Sequence, residues 1–335
     1  MKSKKVIFPE SHNIEVREDE IDLEDVSPEE IVIKKHYSLI SPGTELACLA
    51  DKENWFELPG TPGYAAVGEV VEVGDHVSDV ETGQIAYFFG SHSEYEKIST
   101  DRFFLATPDS LDEKLIPFVK MTTIAMTSLR VSDIELGDYV MVTGQGLVGN
   151  LAAQLAKLQG AFVITTDLSD RRVELSRNCG ADLALNPNKT DLKDEIRKFT
   201  ELGGVSTLIE ATGIPKVAVE SLELIANEGE LILLGTPRGE YRDDITELLN
   251  YCHLEQKGNI TFKGAHEWRL PPFHNEYVKH SMERGSKIVF KLMEQGKLNI
   301  KDLLTHVIEP EEAEEAYDGL KEKKDEYLGV LMDWT

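Results

Sequence analysis

The chain has 335 residues, of which 41% are hydrophobic, and its 61 acidic against 35 basic side chains give a net charge of −26. This length allows two domains with sizeable cores, and the negative charge argues against a nucleic-acid partner because it repels phosphate backbones. No stretch of about 18 apolar residues is present to span a membrane, and the first residues lack the apolar core of a secretion signal. The three cysteines are far apart in sequence, which favours a reducing cytoplasm and excludes an all-cysteine zinc site with four ligands.

Residues 1–110 are predicted to form short strands. β-Branched and aromatic residues alternate in places there, and Gly, Pro and Asp interrupt them at short intervals. The clearest predicted strands are "EEIVIKKHYSLI", "AAVGEVVEVG", "GQIAYFFG" and "EYEKIS". This pattern indicates a small barrel or sandwich.

From about residue 139, predicted strands alternate with predicted helices. The strands are "DYVMVTG", "AFVITTD", "VSTLIEATG", "GELILLGTP" and "NITFKGA". The helices are "LVGNLAAQLAKLQG", ending at Gly160, then "SDRRVELSRNCG", with Ser169 as N-cap and Gly180 beyond its end, and "PKVAVESLELIANEG". The alternation predicts a parallel, doubly wound sheet.

After about residue 266 the pattern changes again. Two predicted helices, "NEYVKHSMERGSKIVFKLMEQGK" and "PEEAEEAYDGLKEK", precede a last strand, "YLGVLMDW". The α/β unit is therefore expected to be inserted between two parts of another domain.

A glycine-rich loop follows the first strand of the α/β unit and opens a helix, which is the context that a dinucleotide-binding loop requires. The loop reads Gly144-Gln145-Gly146-Leu147-Val148-Gly149. Gly144 permits the tight turn, Gly146 lets a pyrophosphate approach the backbone, and Gly149 lets helix and strand pack closely. The helix start at Leu147 and Val148 then faces the phosphates with unpaired N–H groups.

Asp167 ends the second strand of this unit, 18 residues after Gly149. A carboxylate there accepts hydrogen bonds from the adenosine ribose and repels a 2′-phosphate, so we expect NAD rather than NADP. Arg172, together with Arg171, is a candidate to bind the 2′-phosphate of NADP. The alternative is that both are ordinary residues of a helix surface. The later strand ends place three further residues beside the cofactor, namely Thr212, Gly235 and Thr236. The alternative for the two threonines is that each is a turn hydroxyl.

The order of these motifs resembles the medium-chain dehydrogenase/reductase superfamily. "SPGTEL" and "PGYAAVGEVVEVGDHV" come first, "TGQGLVGNLAAQLAK" follows, and a C-terminal segment returns. "ISPGTELA" is most similar to a branch with bacteriochlorophyllide dehydrogenase-like and sugar- or polyol-dehydrogenase-like members. The resemblance implies an α/β Rossmann domain inserted into a GroES-like β-barrel catalytic domain, with boundaries at 1–125, 126–265 and 266–335. It also implies hydride transfer with a nicotinamide cofactor, in a homodimer or homotetramer.

The chain departs from the zinc-using members of that superfamily at three ligand positions. Their Cys-Gly-Ser/Thr-Asp motif falls on residues 42–45, which read Pro-Gly-Thr-Glu, with Ser41 adjacent. Their Gly-His-Glu motif falls on residues 63–65, which hold Tyr64 and Ala65, and a third ligand position lies near Lys120. Catalytic zinc has three protein ligands, usually thiolate, imidazole or carboxylate. We therefore predict no zinc.

Lys120 is the first candidate to replace the metal. It lies in a mostly apolar helical stretch, with Ile116 and Ile124 on the same face. An ammonium group that faces a cleft stabilises an alkoxide by its charge. The alternative is a structural lysine that reaches solvent along an apolar surface.

Tyr64 and Thr44 are the other candidates. A phenol donates a proton to a developing oxyanion, and a nearby lysine lowers its pKa. Thr44 matches the Ser/Thr that relays protons in the zinc members, while Glu45, which matches their Asp, is expected behind the reacting groups. The alternative for Tyr64 is an aromatic residue that fills the space left by zinc, and the alternative for Thr44 is a turn residue.

The histidines show no spacing typical of a metal site. His92, His266 and His306 are therefore expected to be structural. His266, with Trp268 and Arg269, is also a candidate for the lining of a substrate pocket.

The sequence thus predicts a zinc-independent, NAD-dependent oxidoreductase for a secondary alcohol or its ketone. The resemblance alone suggests a sugar- or polyol-like substrate. Two alternatives stay open, namely a zinc-less, NADPH-dependent quinone or enone reductase and a dinucleotide-binding protein without turnover. Asp167 argues against the first, whereas loss of the metal ligands is consistent with the second.

Overall fold

The computed structural model describes residues 2–23, 25–201 and 203–335, which form two compact units. The first unit comprises the described residues within Met1–Lys120, Pro272–Gln295 and Ile300–Thr335, and the second those within Met121–Pro271 and Gly296–Asn299. In chain order the elements are β1 (Lys2–Ile7), β2 (Glu15–Glu20), β3 (Glu30–Leu39), α1 (Pro42–Leu49), β4 (Ala66–Val73), β5 (Ile85–Phe88), β6 (Tyr95–Ser99), β7 (Phe104–Ala106), α2 (Phe118–Val131), β8 (Tyr139–Thr143), α3 (Leu147–Gln159), β9 (Phe162–Thr166), α4 (Asp170–Asn178), β10 (Leu183–Leu185), α5 (Leu192–Phe199), β11 (Val205–Glu210), α6 (Pro215–Glu220), β12 (Ile225–Leu233), α7 (Ile245–His253), β13 (Thr261–Gly264), α8 (Met282–Glu294), β14 (Leu304–Ile308), α9 (Ala313–Glu322) and β15 (Gly329–Asp333).

The second unit is built on a parallel sheet with the strand order β10-β9-β8-β11-β12-β13. Numbered from β8, this is the order 3-2-1-4-5-6 of a Rossmann fold. Strands such as β8 and β11 are buried over most of their length, as parallel strands covered by helices on both faces are. Met141, Ile164 and Leu208 lie in the core beneath them.

The first unit contains a larger sheet with the order β14-β15-β3-β4-β5-β7, and β6 also pairs with β3. β15 lies antiparallel to β3, with Leu331 opposite Leu39. The last strand of the chain therefore completes a sheet that the first part began. This pairing explains why the α/β unit is an insertion.

The predicted helix ends agree with the structure at two glycines and one N-cap serine. Gly160 caps α3 in the left-handed conformation at φ 97°. The Ser169 side chain caps α4 by accepting a hydrogen bond from the Arg172 backbone N–H at 3.3 Å. Gly180, with φ 100°, follows the end of that helix.

Two predicted helices were too long. "NEYVKHSMERGSKIVFKLMEQGK" forms α8 only from Met282, because Ser281 is the N-cap and its hydroxyl accepts from the Arg284 backbone N–H at 3.1 Å. "PKVAVESLELIANEG" is helical only to Glu220, with a 3-10 turn to Leu224. Its last part belongs to β12, since Ile225 pairs with β11 and is buried there. Tertiary pairing therefore overrides a local helical pattern.

The first division between the units falls after Lys120, inside the continuous helix α2, and the later one falls after Pro271. The sequence predicted these divisions at 125/126 and 265/266. No change of composition marks a division inside one helix. Within the part of the chain that the structure describes, no helix combines the length and apolar character needed to cross a membrane.

Candidate functional site

The glycine loop joins β8 to α3 and uses each glycine differently. Gly144 has φ 82°, a conformation that side-chain-bearing residues rarely adopt. A Cβ on Gly149 would lie 1.9 Å from the Gly144 carbonyl oxygen, whereas a Cβ on Gly146 would meet no heavy atom within 4 Å. The loop therefore has no room for a side chain at Gly149, where helix and strand pack, but has free space at Gly146, at the helix N-terminus. There the first N–H groups, including those of Leu147 and Val148, lack partners inside the helix.

Asp167 directly follows β9 and is hydrogen-bonded to this loop. Its Oδ2 accepts a hydrogen bond from the Gln145 N–H at 2.7 Å, and its Oδ1 accepts from the Ser169 N–H at 2.9 Å. Two backbone donors therefore hold the carboxylate in one orientation. Each oxygen keeps further lone pairs, which ribose hydroxyls could use. Arg172 lies beyond it, in the first turn of α4.

The turns after β11 and β12 contact each other closely. A Cβ on Gly213 would lie 2.5 Å from the Thr236 carbonyl oxygen, and a Cβ on Gly235 would lie 2.4 Å from the Gly213 nitrogen. The structure therefore brings Thr212, Gly235 and Thr236 to one end of the parallel sheet.

Glu210 orders this end of the sheet and was missed in the sequence, where it closes an apolar strand without a motif. Its buried carboxylate accepts hydrogen bonds from the Thr212 N–H at 2.7 Å, the Gly213 N–H at 3.1 Å and the Thr212 hydroxyl. Burial raises the pKa of Glu210, and these hydrogen bonds act against that rise. The Thr212 hydroxyl thus serves the turn itself.

In the first unit, the structure joins Tyr64 to Ser41. The Tyr64 hydroxyl donates to Ser41 Oγ at 2.5 Å. Ser41 is the N-cap residue of α1 and is buried, while Tyr64 is half-buried just before β4. Thr44 is also half-buried, in the first turn of α1. The hydrogen bond between Tyr64 and Ser41 joins "SPGTEL" and "PGYAAVGEVVEVGDHV", two motifs that are separate in the sequence.

Lys120 packs against the same tyrosine. Its Nζ lies 5.8 Å from the centroid of the Tyr64 ring and 3.5 Å from that of Phe89, and the residue is only 3% exposed. Phe103 stacks on Phe89 with centroids 4.3 Å apart at 14°, so the ammonium and the second ring occupy opposite faces of Phe89. We call Ser41, Tyr64, Phe89 and Lys120 the Tyr64 cluster. Phe89 was missed because an aromatic residue in a strand-rich segment has no distinguishing spacing.

The three histidines considered as candidates, His92, His266 and His306, each have different surroundings. The His306 ring stacks on Tyr327 with centroids 3.9 Å apart. His266 precedes a 3-10 helix of the second unit, in which Trp268 is exposed and Glu267 is buried and accepts from Thr123 Oγ1 at 2.7 Å. His92 is buried, with its Nε2 2.9 Å from Glu45 Oε2. Among the described residues, no group of three or more His, Cys, Asp or Glu side chains is arranged to hold a metal ion.

Known proteins match both the sequence and the fold. A family model described as zinc-binding dehydrogenase matches residues 148–270, a range inside the second unit that contains no member of the Tyr64 cluster. L-threonine 3-dehydrogenase of Pyrococcus abyssi (strain GE5 / Orsay) is 27% identical over 321 residues, covering 86% of each chain. D-guloside 3-dehydrogenase of Escherichia coli (strain K12) is 28% identical over 260 residues, covering 76% of this chain and 72% of that protein.

Among solved structures, 2R,3R-butanediol dehydrogenase from Bacillus subtilis has a TM-score of 0.81 at 21% identity and covers 99% of each chain. The match confirms the predicted fold class, a Rossmann domain inserted into a GroES-like domain. The sequence relatives and the family model agree with it. The chain is thus similar to these dehydrogenases in sequence and in fold.

Proposed function

We propose that the protein is an NAD-dependent oxidoreductase that interconverts a secondary alcohol and its ketone without a catalytic zinc ion. The carrying observation is the Tyr64 cluster, which has a phenol hydrogen-bonded to a serine and a buried ammonium against the phenol ring. Relatives that match most of the chain are named threonine 3-dehydrogenase and guloside 3-dehydrogenase. These names support a hydroxyl-bearing, sugar- or polyol-like substrate.

The donors of the Tyr64 cluster do not fit zinc. The hydroxyls of Ser41 and Tyr64 are hydrogen-bonded to each other, and Lys120 brings a positive charge. A catalytic zinc site uses imidazole, thiolate or carboxylate ligands, and an ammonium repels the cation. The Ala65 side chain has no donor atom. The cluster therefore supports a reaction that uses fixed protein donors.

The residues of the second unit fit a nicotinamide dinucleotide. Gly146 leaves the helix start open to a pyrophosphate, and the Asp167 carboxylate is oriented to accept from ribose hydroxyls. A carboxylate there repels the 2′-phosphate of NADP, which supports NAD. When bound, the nicotinamide supplies or accepts the hydride.

The side chains of the Tyr64 cluster would manage the proton. In reduction the carbonyl oxygen gains negative charge, the Lys120 ammonium stabilises it, and the Tyr64 hydroxyl gives it a proton. Reduction leaves Tyr64 as a phenolate, and in oxidation this phenolate oxygen accepts the proton of the alcohol. The Ser41 hydroxyl holds the Tyr64 oxygen in place. Thr44, in the neighbouring turn, is a further hydrogen-bond donor for the substrate oxygen.

The quaternary structure and location belong to the same proposal. β13 ends the order of the parallel sheet, so its outer edge can pair with a second copy in a homodimer, or in a homotetramer of two such dimers. Cys48, Cys179 and Cys252 are free thiols, which supports a reducing, cytoplasmic location. Light scattering of the purified protein measures the oligomeric state.

One experiment separates this function from its alternatives. Purified protein is assayed with NAD and NADP on sugar alcohols and other secondary alcohols, and with NADH and NADPH on quinones and enones, while its zinc content is measured. We expect alcohol oxidation with NAD, unchanged after dialysis against a chelator. Stoichiometric zinc whose removal abolishes turnover would refute the proposal, whereas NADPH-dependent quinone reduction or cofactor binding without any turnover would favour an alternative.

A further inference from the structure

A buried polar network lies behind the Tyr64 cluster. Its five side chains come from separate parts of the chain and are each at most 5% exposed. They are Ser38, Glu45, His92, Tyr317 and Trp334, which we call the Glu45 network. Tyr317 and Trp334 belong to the C-terminal return of the chain, on α9 and just after β15.

Glu45 is the centre of this network. Its Oε2 accepts from the Tyr317 hydroxyl at 2.5 Å and lies 2.9 Å from His92 Nε2. Its Oε1 accepts from the Ser41 backbone N–H at 2.7 Å. Burial, together with the neighbouring Glu45 carboxylate, raises the pKa of Tyr317 well above its usual range, so this phenol remains a hydrogen-bond donor.

One assignment of protons satisfies every member of the network. Trp334 Nε1 can only donate, and it donates to Ser38 Oγ at 2.9 Å. Ser38 then donates its own proton to His92 Nδ1, 2.7 Å away. His92 is left with its proton on Nε2, which faces Glu45. Three donors thus meet the Glu45 carboxylate, and all members are closed off from solvent. Such a network holds groups in place and does not conduct protons to water.

Two contacts connect the network to Tyr64. Glu45 accepts a hydrogen bond from the backbone N–H of Ser41, and the Ser41 hydroxyl oxygen accepts a hydrogen bond from the Tyr64 hydroxyl. The His92 backbone N–H donates to the Pro62 carbonyl oxygen at 2.7 Å, and a Cβ on Gly63 would lie 2.8 Å from that same nitrogen. The segment that carries Tyr64 therefore rests directly on His92.

We infer that Glu45, His92 and Tyr317 are positioning residues that hold Ser41 and the Tyr64 hydroxyl in the geometry needed for proton transfer. This inference rests on the proposed role of Tyr64. A small displacement of a reacting group can cost about 10²-fold in rate. Loss of the network should therefore lower kcat through Tyr64 while the binding of NADH stays unchanged.

A double-mutant cycle with Tyr317→Phe and Tyr64→Phe in the full chain tests this. Tyr317→Phe alone should lower kcat at least about tenfold and leave KM and NADH affinity nearly unchanged. In the Tyr64→Phe background it should lower kcat no further, because it acts through the missing hydroxyl. Tyr327→Phe, a buried tyrosine of the same hydrophobic cluster, is the matched control and should keep wild-type kcat.

His92 provides a second comparison in case Tyr317→Phe does not fold. His92→Gln keeps a donor for Glu45 and an acceptor for Ser38, and should retain more kcat than His92→Phe. The inference is overturned if Tyr317→Phe lowers kcat equally in both backgrounds or no more than Tyr327→Phe, or if the two His92 variants are equally active. If Tyr64→Phe alone keeps wild-type kcat, the proposed function of Tyr64 has failed, and the cycle distinguishes that outcome from failure of the network.

Discussion

The glycine loop of the second unit and the Tyr64 cluster of the first are assembled in different ways. The loop is one contiguous segment, and its properties come from the backbone, namely a positive φ at Gly144 and a close contact at Gly149. The Tyr64 cluster takes side chains from the N-cap of α1, from the segment before β4, from the segment after β5 and from α2. A site formed by the backbone of one contiguous segment can be predicted from the sequence. A site formed by side chains from several segments depends on the fold that brings them together.

The largest expected effect is that of Tyr64→Phe on catalysis. Removal of a positioned proton donor should lower kcat by about 10²–10⁴-fold, while the fluorescence-detected affinity for NADH stays the same because the glycine loop is untouched. Steady-state kinetics on the best alcohol substrate measure the change. Tyr95→Phe on β6 is the control, and full activity of Tyr64→Phe would show that this tyrosine only fills space.

Gly149→Ala should disrupt the loop itself. The added Cβ would meet a backbone oxygen 1.9 Å away, and such overpacking should lower the free energy of unfolding by about 3 kcal/mol. Gly146→Ala is the matched variant, since its Cβ meets open space at φ −69°. It should unfold like the wild type but bind NADH about tenfold more weakly, because the Cβ blocks the approach of the pyrophosphate. Denaturant unfolding and NADH titration separate the two effects, and equal stability of both variants would contradict the packing argument.

Lys120→Met tests whether the buried charge acts in the reaction. The variant keeps an apolar chain of similar length against Phe89 but removes the ammonium. We expect kcat to fall about 10²-fold, with Lys120→Arg retaining more activity because it keeps the charge. A Lys120→Met protein with wild-type kcat and a raised melting temperature would mark the lysine as structural.

Asp167→Ser should give the smallest effect. Without the carboxylate, the repulsion of a 2′-phosphate is removed, and the ratio of kcat/KM with NADP to that with NAD should rise about tenfold, equivalent to about 1.4 kcal/mol. Glu174→Ser removes a similar charge from exposed α4 and serves as the control. An unchanged ratio would place the choice of cofactor elsewhere, with Arg172 as the next residue to substitute.

Much of the fold could be predicted because its signals are local. Apolar strands alternating with helices predicted the parallel sheet, and Ser169 and Gly160 marked helix ends by their own conformations. Predictions were wrong for two reasons, a strand partner distant in sequence in one case and a local helix cap in the other. Ile225 lies in a strand because β11 pairs with it. Ser281 begins α8 later than the helical pattern predicted.

The sequence by itself determined the Rossmann unit and its insertion into a strand-rich domain, and it predicted that three zinc-ligand positions of the superfamily it resembles hold other residue types. These follow from periodicity, turn chemistry and residue identity along contiguous stretches. Only the tertiary structure decided that Tyr64 donates to Ser41, that Lys120 lies on Phe89, and that Tyr317 and His92 meet at Glu45. The physical reason is that tertiary contacts join residues far apart in sequence, such as Trp334 and Ser38, which are 296 positions apart, and no local pattern encodes those contacts.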